Sequence, residues 1–510
     1  VKKNTLLSIF VLILAFLTHF WNYQHPADLY WDENYYLPSA TKYQKGVFFQ
    51  QSHPPLAKLL MAGGDSLINP NFENPNDFEK TDYIKNVPKG YSFSGMRLAS
   101  VLFSCLNCLL FFWLMLSLTP KSLWAFCLSF LFVFDNAIIL QSRGAMLESI
   151  QIFGVLLALL GYFEVYKKNL YSKKWISLLS LGITWAIWTK INGLILILLL
   201  PLLLLHSAQK TFFKKVRELL PSLGLSLLVM SLFSVLIWQL HFSLGKKIEP
   251  SLPNNGWYKA SQELKEIKMY PEQHKNPFHN FYIELRDYLH FMKVDVDGFT
   301  PLNLCKKDEN ASPFYWWPFG GRTISYRWST TDSGKHVSHL YMISNPFGWA
   351  TGLLSLFFTI SFFLIKLIFK NLKIDIKENK KLLTFLILYI GYMFAMSRIT
   401  RGMYIYNYFI PLVFTFGMAS YWVPQIFNAF ELKIKNKVFI SQILFSFALI
   451  GTWYFYSPLT YFSPLSCQEF KNRSLFDGWD MRGVNCNFGH SLYRVEEALK
   501  ESSNSSNSSK

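Results

Sequence analysis

Leu178–Leu205 reads LLSLGITWAIWTKINGLILILLLPLLLL. A membrane helix needs about 20 apolar residues to cross the hydrocarbon core, so this run is too long for one crossing. Lys190-Ile191-Asn192-Gly193 sits at its middle. A charge and a glycine side by side are poor companions for hydrocarbon. The run is read as two helices meeting at a polar turn, the alternative being one long tilted helix with a buried Lys190.

Nine other stretches carry almost no charge: Leu6–Phe20, Leu98–Leu118, Leu123–Phe134, Ile150–Tyr162, Leu219–Leu240, Trp349–Leu364, Leu382–Met396, Met403–Trp422 and Val438–Tyr456. Half the chain is hydrophobic (51%), 18% is aromatic, and mean hydropathy is positive at +0.19, which places it in the membrane class. Lipid demands that every backbone polar group be paired internally, so the stretches are helices. With the split run they predict an all-α polytopic fold of about eleven crossings.

Lysines orient it. With Lys2 and Lys3 in the cytoplasm, the turns carrying Lys167-Lys168 and Lys173-Lys174, Lys210 to Arg217, Lys366 to Lys381 and Lys433 to Lys437 all fall on the same side. That is the positive-inside pattern, and it requires the break at Lys190. Much of the +18 net charge is thereby explained by an anionic cytoplasmic leaflet. Nucleic acid is excluded as a partner, because the charge is scattered over short loops without a recognition motif. The first apolar segment lacks a small-residue cleavage site and is read as an uncleaved anchor.

Two large external loops follow, about 21–92 and 243–340, with an external segment 461–500 and a low-complexity Ser/Asn tail at 501–510. Residues 1–460 form the membrane domain. Cys105, Cys108 and Cys127 fall in helices as packing residues, while Cys305, Cys467 and Cys486 lie outside, where disulfides persist. A Cys467–Cys486 bridge is one option there.

The first external loop carries Trp31-Asp32-Glu33 and then His53-Pro54-Pro55-Leu56-Ala57-Lys58. Adjacent carboxylates in a loop are commonly a solvated patch, but here a proline-stiffened basic stretch follows. Cations also sit at the outer helix ends, against the inside bias: Arg97, Arg143 with Glu148, Lys190, Arg398 and Arg401. Ionisable groups at membrane depth cost about 3 kcal/mol or more and are often functional. The alternative for each is snorkelling or local pairing. In the second loop, aromatic residues including Trp257, Tyr282, Trp316, Trp317 and Trp328 suit sugar stacking, peptide docking or an interfacial belt.

These motifs, in this order, resemble the protein O-mannosyltransferases, membrane enzymes of the GT-C class. The resemblance runs through Asp32-Glu33, His53-Pro54-Pro55, Met96-Arg97-Leu98, Phe134-Asp135-Asn136, Gln141-Ser142-Arg143, Thr189-Lys190, His241-Phe242, Trp316-Trp317-Pro318-Phe319, Asn345-Pro346, Arg401 and Tyr406-Asn407-Tyr408. Departures fall at Leu147-Glu148, where the family usually has an aspartate, and at Asn407-Tyr408, where it has histidine-tyrosine. The 243–340 loop holds no β-trefoil insert, as in the shorter prokaryotic form.

The resemblance implies a GT-C fold and a multi-pass protein of a prokaryotic plasma membrane, with its site outside. It implies transfer of mannose from polyprenyl-phosphate-mannose to Ser/Thr hydroxyls of proteins, with inversion. Asp32 would be the base and Glu33 would orient the acceptor. Arg97, Arg143, Lys190 and Arg398 would neutralise the departing phosphate. His53, Lys58, Glu148, Trp316, Trp317 and Arg401 would complete substrate binding. A retaining two-carboxylate scheme is disfavoured, since neighbouring loop residues do not flank one sugar. No cofactor is required, and no metal-spaced ligand cluster indicates a divalent cation. Other readings are a GT-C enzyme moving a different lipid-linked sugar onto a glycan or lipid, and a lipid-linked sugar transporter.

Overall fold

The structure, a computed structural model, describes residues 2–73, 76–168, 171–207, 209–248, 256–306, 309–331, 336–369, 376–431 and 438–482. The chain forms two compact units. One comprises 1–126 and 142–299, the other 127–141 and 300–510.

Among the described residues, eight helices are long and apolar enough to cross a membrane. Ser122–Val133 and Asn136–Arg143, bent by 58° at a short break, make a ninth if counted together. This bend was not anticipated: the third crossing was expected to end at Phe134, and the chain instead turns there and continues to Arg143. The expected eleven therefore become eight or nine by length. The difference lies in the split run, whose halves are the 17-residue helix Lys173–Thr189 and the apolar segment Ile191–His206.

The split itself is present. Lys173–Thr189 ends at Lys190, which is extended (φ −155°, ψ 133°). Beyond it, eight residues (Ile191–Leu198) and then four (Leu203–His206) are wound as 3-10 helix around a short α turn. The 3-10 rise of about 2 Å per residue makes that segment roughly 30 Å long, close to a bilayer core. Few residues cover the distance because they are wound more tightly.

In the first unit, helices Glu148–Lys168 and Lys173–Thr189 pack backbone to backbone. A Cβ on Gly182 would lie 2.4 Å from Ala158 N, and one on Gly154 would lie 2.6 Å from Ala186 N. Small residues at such a contact replace the hydrophobic driving force that lipid removes. By contrast, Phe212–Leu244 buries few of its apolar side chains and leaves about half of them exposed, Leu232 and Leu236 among them, as a lipid-facing helix does. The connections between the spans of this unit carry the helices Glu33–Lys45, Leu56–Ile68, Gln262–Met269 and Pro277–Asp297.

The second unit holds Pro346–Ile368, Ile376–Ser397, Phe409–Glu431 and Val438–Thr460. It adds a small antiparallel sheet in the order β1 (Ile324–Thr331), β2 (His336–Met342), β3 (Pro464–Ser466). Ile324 pairs with Met342, Thr331 with His336, and His336 in turn with Ser466. Beneath the sheet, Tyr341, Ile343, Tyr456, Leu465, Phe470 and Trp479 form a core. The 243–340 loop, read as one piece, thus divides at 299/300 between the two units.

Cys105, Cys108 and Cys127 lie in helices as free thiols, and Cys305 is exposed. Cys467 is disulfide-bonded. Cys486 and the Ser/Asn tail lie outside the described residues.

Candidate active site

The loop after the first span is built around two buried arginines. Arg97 donates from Nη1 to the carbonyls of Gln24 and Pro26 and from Nη2 to that of Asp28, each at 2.8 Å. Arg143 donates to the carbonyls of His19 (3.3 Å), Trp21 (2.8 Å), Asn22 (2.6 Å) and His25 (3.5 Å). Arg97 is fully buried and Arg143 is 3% exposed. A guanidinium presents its donors in a rigid fork, so two of them fix the path of residues 19–28 through seven backbone oxygens. Tyr30 and Phe93 stack on the Arg97 guanidinium at 4.7 and 4.2 Å.

Glu33 completes the brace. Its Oε1 accepts from Arg97 Nε (2.7 Å) and Ala145 N (2.9 Å), and its Oε2 accepts from Arg97 Nη2 (2.9 Å) and Tyr30 N (3.2 Å). A fully buried carboxylate with this many donors is held in place, as a buried charge must be to repay its desolvation. Asp32, its neighbour, stands half-buried at the N-terminus of the Glu33–Lys45 helix. Trp31, just before it, sits in the left-handed region at φ 53°. That conformation is uncommon for a side-chain-bearing residue. The Tyr30–Glu33 bonds and the arginine brace hold it there.

The two adjacent acids have thus parted: Glu33 is fully enclosed, Asp32 only half-buried. Asp32 shares an electrostatic neighbourhood with Glu148. Burial raises the phenol of Tyr36 well above its usual range, and the charges of Asp32 and then Glu148 raise it further. Glu148 Oε1 accepts Lys190 Nζ at 2.8 Å, with both side chains nearly buried. Gln151 laces the break from the neighbouring helix, its Nε2 donating to Lys190 O (2.8 Å), Ala186 O (3.2 Å) and Asn192 Oδ1 (2.7 Å). Sequence reasoning missed Tyr30, Tyr36 and Gln151, since their partners are distant along the chain.

Lys58 is fully buried, and Nζ donates to His53 O (2.7 Å), Gln51 Oε1 (3.0 Å) and Tyr288 Oη (3.3 Å). Among the described residues no carboxylate lies within ion-pair distance of it, and burial pushes its ammonium well below the usual lysine range. Its place is under the half-buried His53, pinning the His53-Pro54-Pro55 turn.

In the second unit, Trp316 and Trp317 lie on the turn Phe314–Phe319. Trp317 is fully buried with Nε1 donating to Ser312 Oγ (2.8 Å), while Trp316 is half-buried. Arg398 is exposed, just past the Ile376–Ser397 helix, and the half-buried Arg401 pairs through its backbone with Pro301. The Phe134-Asp135-Asn136 and Asn345-Pro346 motifs meet here. Asp135 accepts from Trp349 Nε1 (2.8 Å), Ile138 N (2.9 Å) and Asn345 N (3.4 Å). Asn345 Nδ2 donates to Phe134 O (2.9 Å) and Leu449 O (3.0 Å). Asn407 Nδ2 donates to Tyr404 O at 2.9 Å.

Comparison with known proteins agrees with this arrangement of motifs. Residues 9–245 match the model of the dolichyl-phosphate-mannose-protein mannosyltransferases. Residues 290–479 match that of the C-terminal four-helix membrane region of protein O-mannosyltransferases. The chain is 30% identical over 184 residues to protein O-mannosyl-transferase 1 of Rattus norvegicus, a match covering 36% of this chain and 23% of that protein. It is 29% identical over 170 residues to dolichyl-phosphate-mannose–protein mannosyltransferase 4 of Schizosaccharomyces pombe, covering 32% and 21%. The matched part is thus under a quarter of the length of either relative. The S. cerevisiae Pmt1–Pmt2 complex, solved with its sugar donor, superposes with a TM-score of 0.75 over 97% of this chain and 95% of the yeast chain, at 15% identity. The chain is a multi-pass membrane protein of GT-C fold, and it belongs to the protein O-mannosyltransferase family.

Proposed function

We propose that the chain transfers mannose from a polyprenyl-phosphate-linked donor to Ser or Thr hydroxyls of proteins, on the outer face of a prokaryotic plasma membrane, with its N-terminus in the cytoplasm. The observation that carries this reading is the division of labour between Asp32 and Glu33. An acceptor hydroxyl needs a carboxylate that substrate can reach, held without freedom to wander. Half-buried Asp32 suits that base, and the locked Glu33 makes it rigid.

In this reading Asp32 takes the hydroxyl proton as the oxygen attacks the anomeric carbon. The phosphate leaves from the opposite side with the bonding electrons, so the configuration inverts. Glu33, Arg97 and Arg143 act as positioning residues rather than as contacts to substrate, because their donors and acceptors are engaged with the loop. Lys58 serves the His53 turn in the same way. Lys190, with Glu148 setting its place, carries the phosphate-neutralising role in this unit. Half-buried Trp316 is the better aromatic surface for substrate, Trp317 being enclosed. The scheme needs no metal.

The test is transfer of radiolabel from polyprenyl-phosphate-mannose to a Ser/Thr-rich peptide in detergent, comparing wild type with Asp32→Asn. Label is expected on the peptide, falling by about 10²–10⁴-fold in the variant. An intact donor with no transfer by the wild type would defeat the reading in favour of another sugar or acceptor.

A further inference from the structure

The helix Pro277–Asp297 has three faces, and the packing of the unit leaves much of one of them bare. Wound at 3.6 residues per turn, it turns Ile283, Asp287, Tyr288 and Phe291 inward, where all four are buried. Asp287 accepts from Ser261 N (2.7 Å) and Ser261 Oγ (2.8 Å), tying the helix to Gln262–Met269. A second sector is wholly apolar: Phe278, Phe281, Tyr282, Leu285, Leu289, Met292 and Val296 recur at helical spacing. Its outer members are bare, Phe278 at 86% and Tyr282 at 60% exposed. A third, flanking sector holds His279 and Arg286, which pair with Glu263 of Gln262–Met269 at 3.3 and 3.0 Å, and then His290 and Lys293, which form its basic flank.

The bare sector does not stand alone. One edge of it, Phe281, Leu285 and Met292, packs on Trp238 and Phe242 of Phe212–Leu244, with the Phe242 and Phe281 rings 5.7 Å apart. The last turns of that spanning helix expose Leu236, Leu240 and Leu244. The apolar stripe of Pro277–Asp297 therefore continues a surface that already faces lipid, at the end of the span where acyl chains give way to headgroups. An apolar stripe beside a basic flank is the composition of a helix lying in that interface. Aromatic residues favour the same depth.

We propose that Pro277–Asp297 is an interfacial helix, seated in the bilayer with its Phe278–Tyr282–Leu285–Leu289 stripe in the acyl region and its basic flank at the lipid phosphates. The seat has a consequence for the loop beside it. Tyr288, on the inward face, donates to His53 O at 3.1 Å and accepts from Lys58. The depth of the helix thereby sets the height of the His53-Pro54-Pro55 turn relative to the membrane surface. The proposal stands independently of which sugar or acceptor the chain handles.

Spin labels read the seating directly. In a Cys305→Ser background, label is attached through Tyr282→Cys, Leu289→Cys or His290→Cys, and the unsubstituted background is subtracted. The full-length protein is reconstituted into phosphatidylcholine/phosphatidylglycerol vesicles. Collisions with oxygen, which concentrates in lipid, are compared with those of a water-soluble nickel chelate. Labels at 282 and 289 should favour oxygen, and the chelate should be several-fold more effective at 290. Equal access of the chelate to all three positions would overturn the proposal by placing the stripe in water. Labels at 282 and 289 that neither reagent reaches would overturn it too, by showing that protein, such as a second copy of the chain, covers the face.

Discussion

Two apolar runs in this molecule are broken by polar residues, one at Lys190 and one at Asp135, and the breaks are resolved differently. At Asp135 the polar groups serve the bend itself: the carboxylate takes Trp349 Nε1 and two backbone N–H groups, and Asn345 covers the carbonyls of Phe134 and Leu449. At Lys190 a neighbouring helix supplies Gln151 to the carbonyls of Ala186 and Lys190, and the lysine's ammonium reaches across to Glu148. A break whose own charged side chain is spent on bonds to the bend and its caps is a structural joint. A break whose charge takes no part in the closure can carry a charged pair for another purpose.

The strongest way to break this contrast is to remove the pair as a unit. Deleting one partner of a buried ion pair strands the other, whereas replacing both by apolar residues is often close to neutral for stability. The double variant Glu148→Leu/Lys190→Met is expected to keep its thermal midpoint within a few degrees. Its transfer should fall by about 10²–10³-fold, the loss typical of a removed charge-stabilising donor. Undiminished transfer would make the Lys190 break a joint like its counterpart.

Asp135→Ala should show the converse. It strands buried donors, each worth roughly 1–3 kcal/mol when unsatisfied, so a loss of about 3 kcal/mol is expected in denaturant unfolding. Activity per folded molecule should stay within about twofold, in the range of a change outside the chemistry. A collapse of activity at full folding would put Asp135 in the site.

Arg143 offers a third, smaller contrast. Arg143→Lys keeps a positive charge but loses the fork. As a brace of the Asp32 loop it should lower kcat by about tenfold with the donor KM unchanged, the pattern of lost positioning. A raised donor KM at normal kcat would instead make Arg143 a phosphate ligand.

The smallest effect concerns burial without partners. His339 in β2 lies against Phe470 at 4.6 Å, and neither ring nitrogen has a hydrogen-bond partner among the described residues. Burial lowers its pKa to about 4 from 6.5. The folded value lies below the unfolded one, so His339 leaves stability intact above pH 6.5 and erodes it as the pH falls from 6.5 towards 4. The loss should be roughly 1 kcal/mol near pH 5.5–6. His339→Leu should flatten that limb of a stability–pH curve, and an unchanged slope would show that the imidazole charges without cost.

Much of the fold was legible because lipid makes harsh demands: uncharged runs must be helices, since every backbone polar group has to be paired within the run. The Lys190 break was legible because a charge, an asparagine and a glycine interrupted a run too long for one crossing. The bend at Asp135 was not, since its capping partners, Trp349 and Asn345, lie more than 200 residues away. The small sheet was hidden too, its third strand arriving from residue 464. In the site, the sequence singled out charged residues without revealing their partners. Arg97 and Arg143 were legible as important, but backbone carbonyls have no signature in a sequence, so they were read as phosphate ligands. Glu33 met the same obstacle, its partners Arg97 and Ala145 being 64 and 112 positions away. Pro277–Asp297 was read only through aromatics such as Tyr282, suited to sugar stacking, peptide docking or an interfacial belt, because its inward face becomes visible once Tyr288 is seen beside His53.

The arginine brace also bears on how the chain can change over time. Both guanidiniums read the oxygens of residues 19–28, and a backbone oxygen is the same whichever side chain is attached to it. The shape of this loop is therefore insulated from much of its own spelling. Exchanges along it that preserve the backbone path should leave the base of the site where it was, so the loop can drift in composition while two distant arginines hold its geometry still.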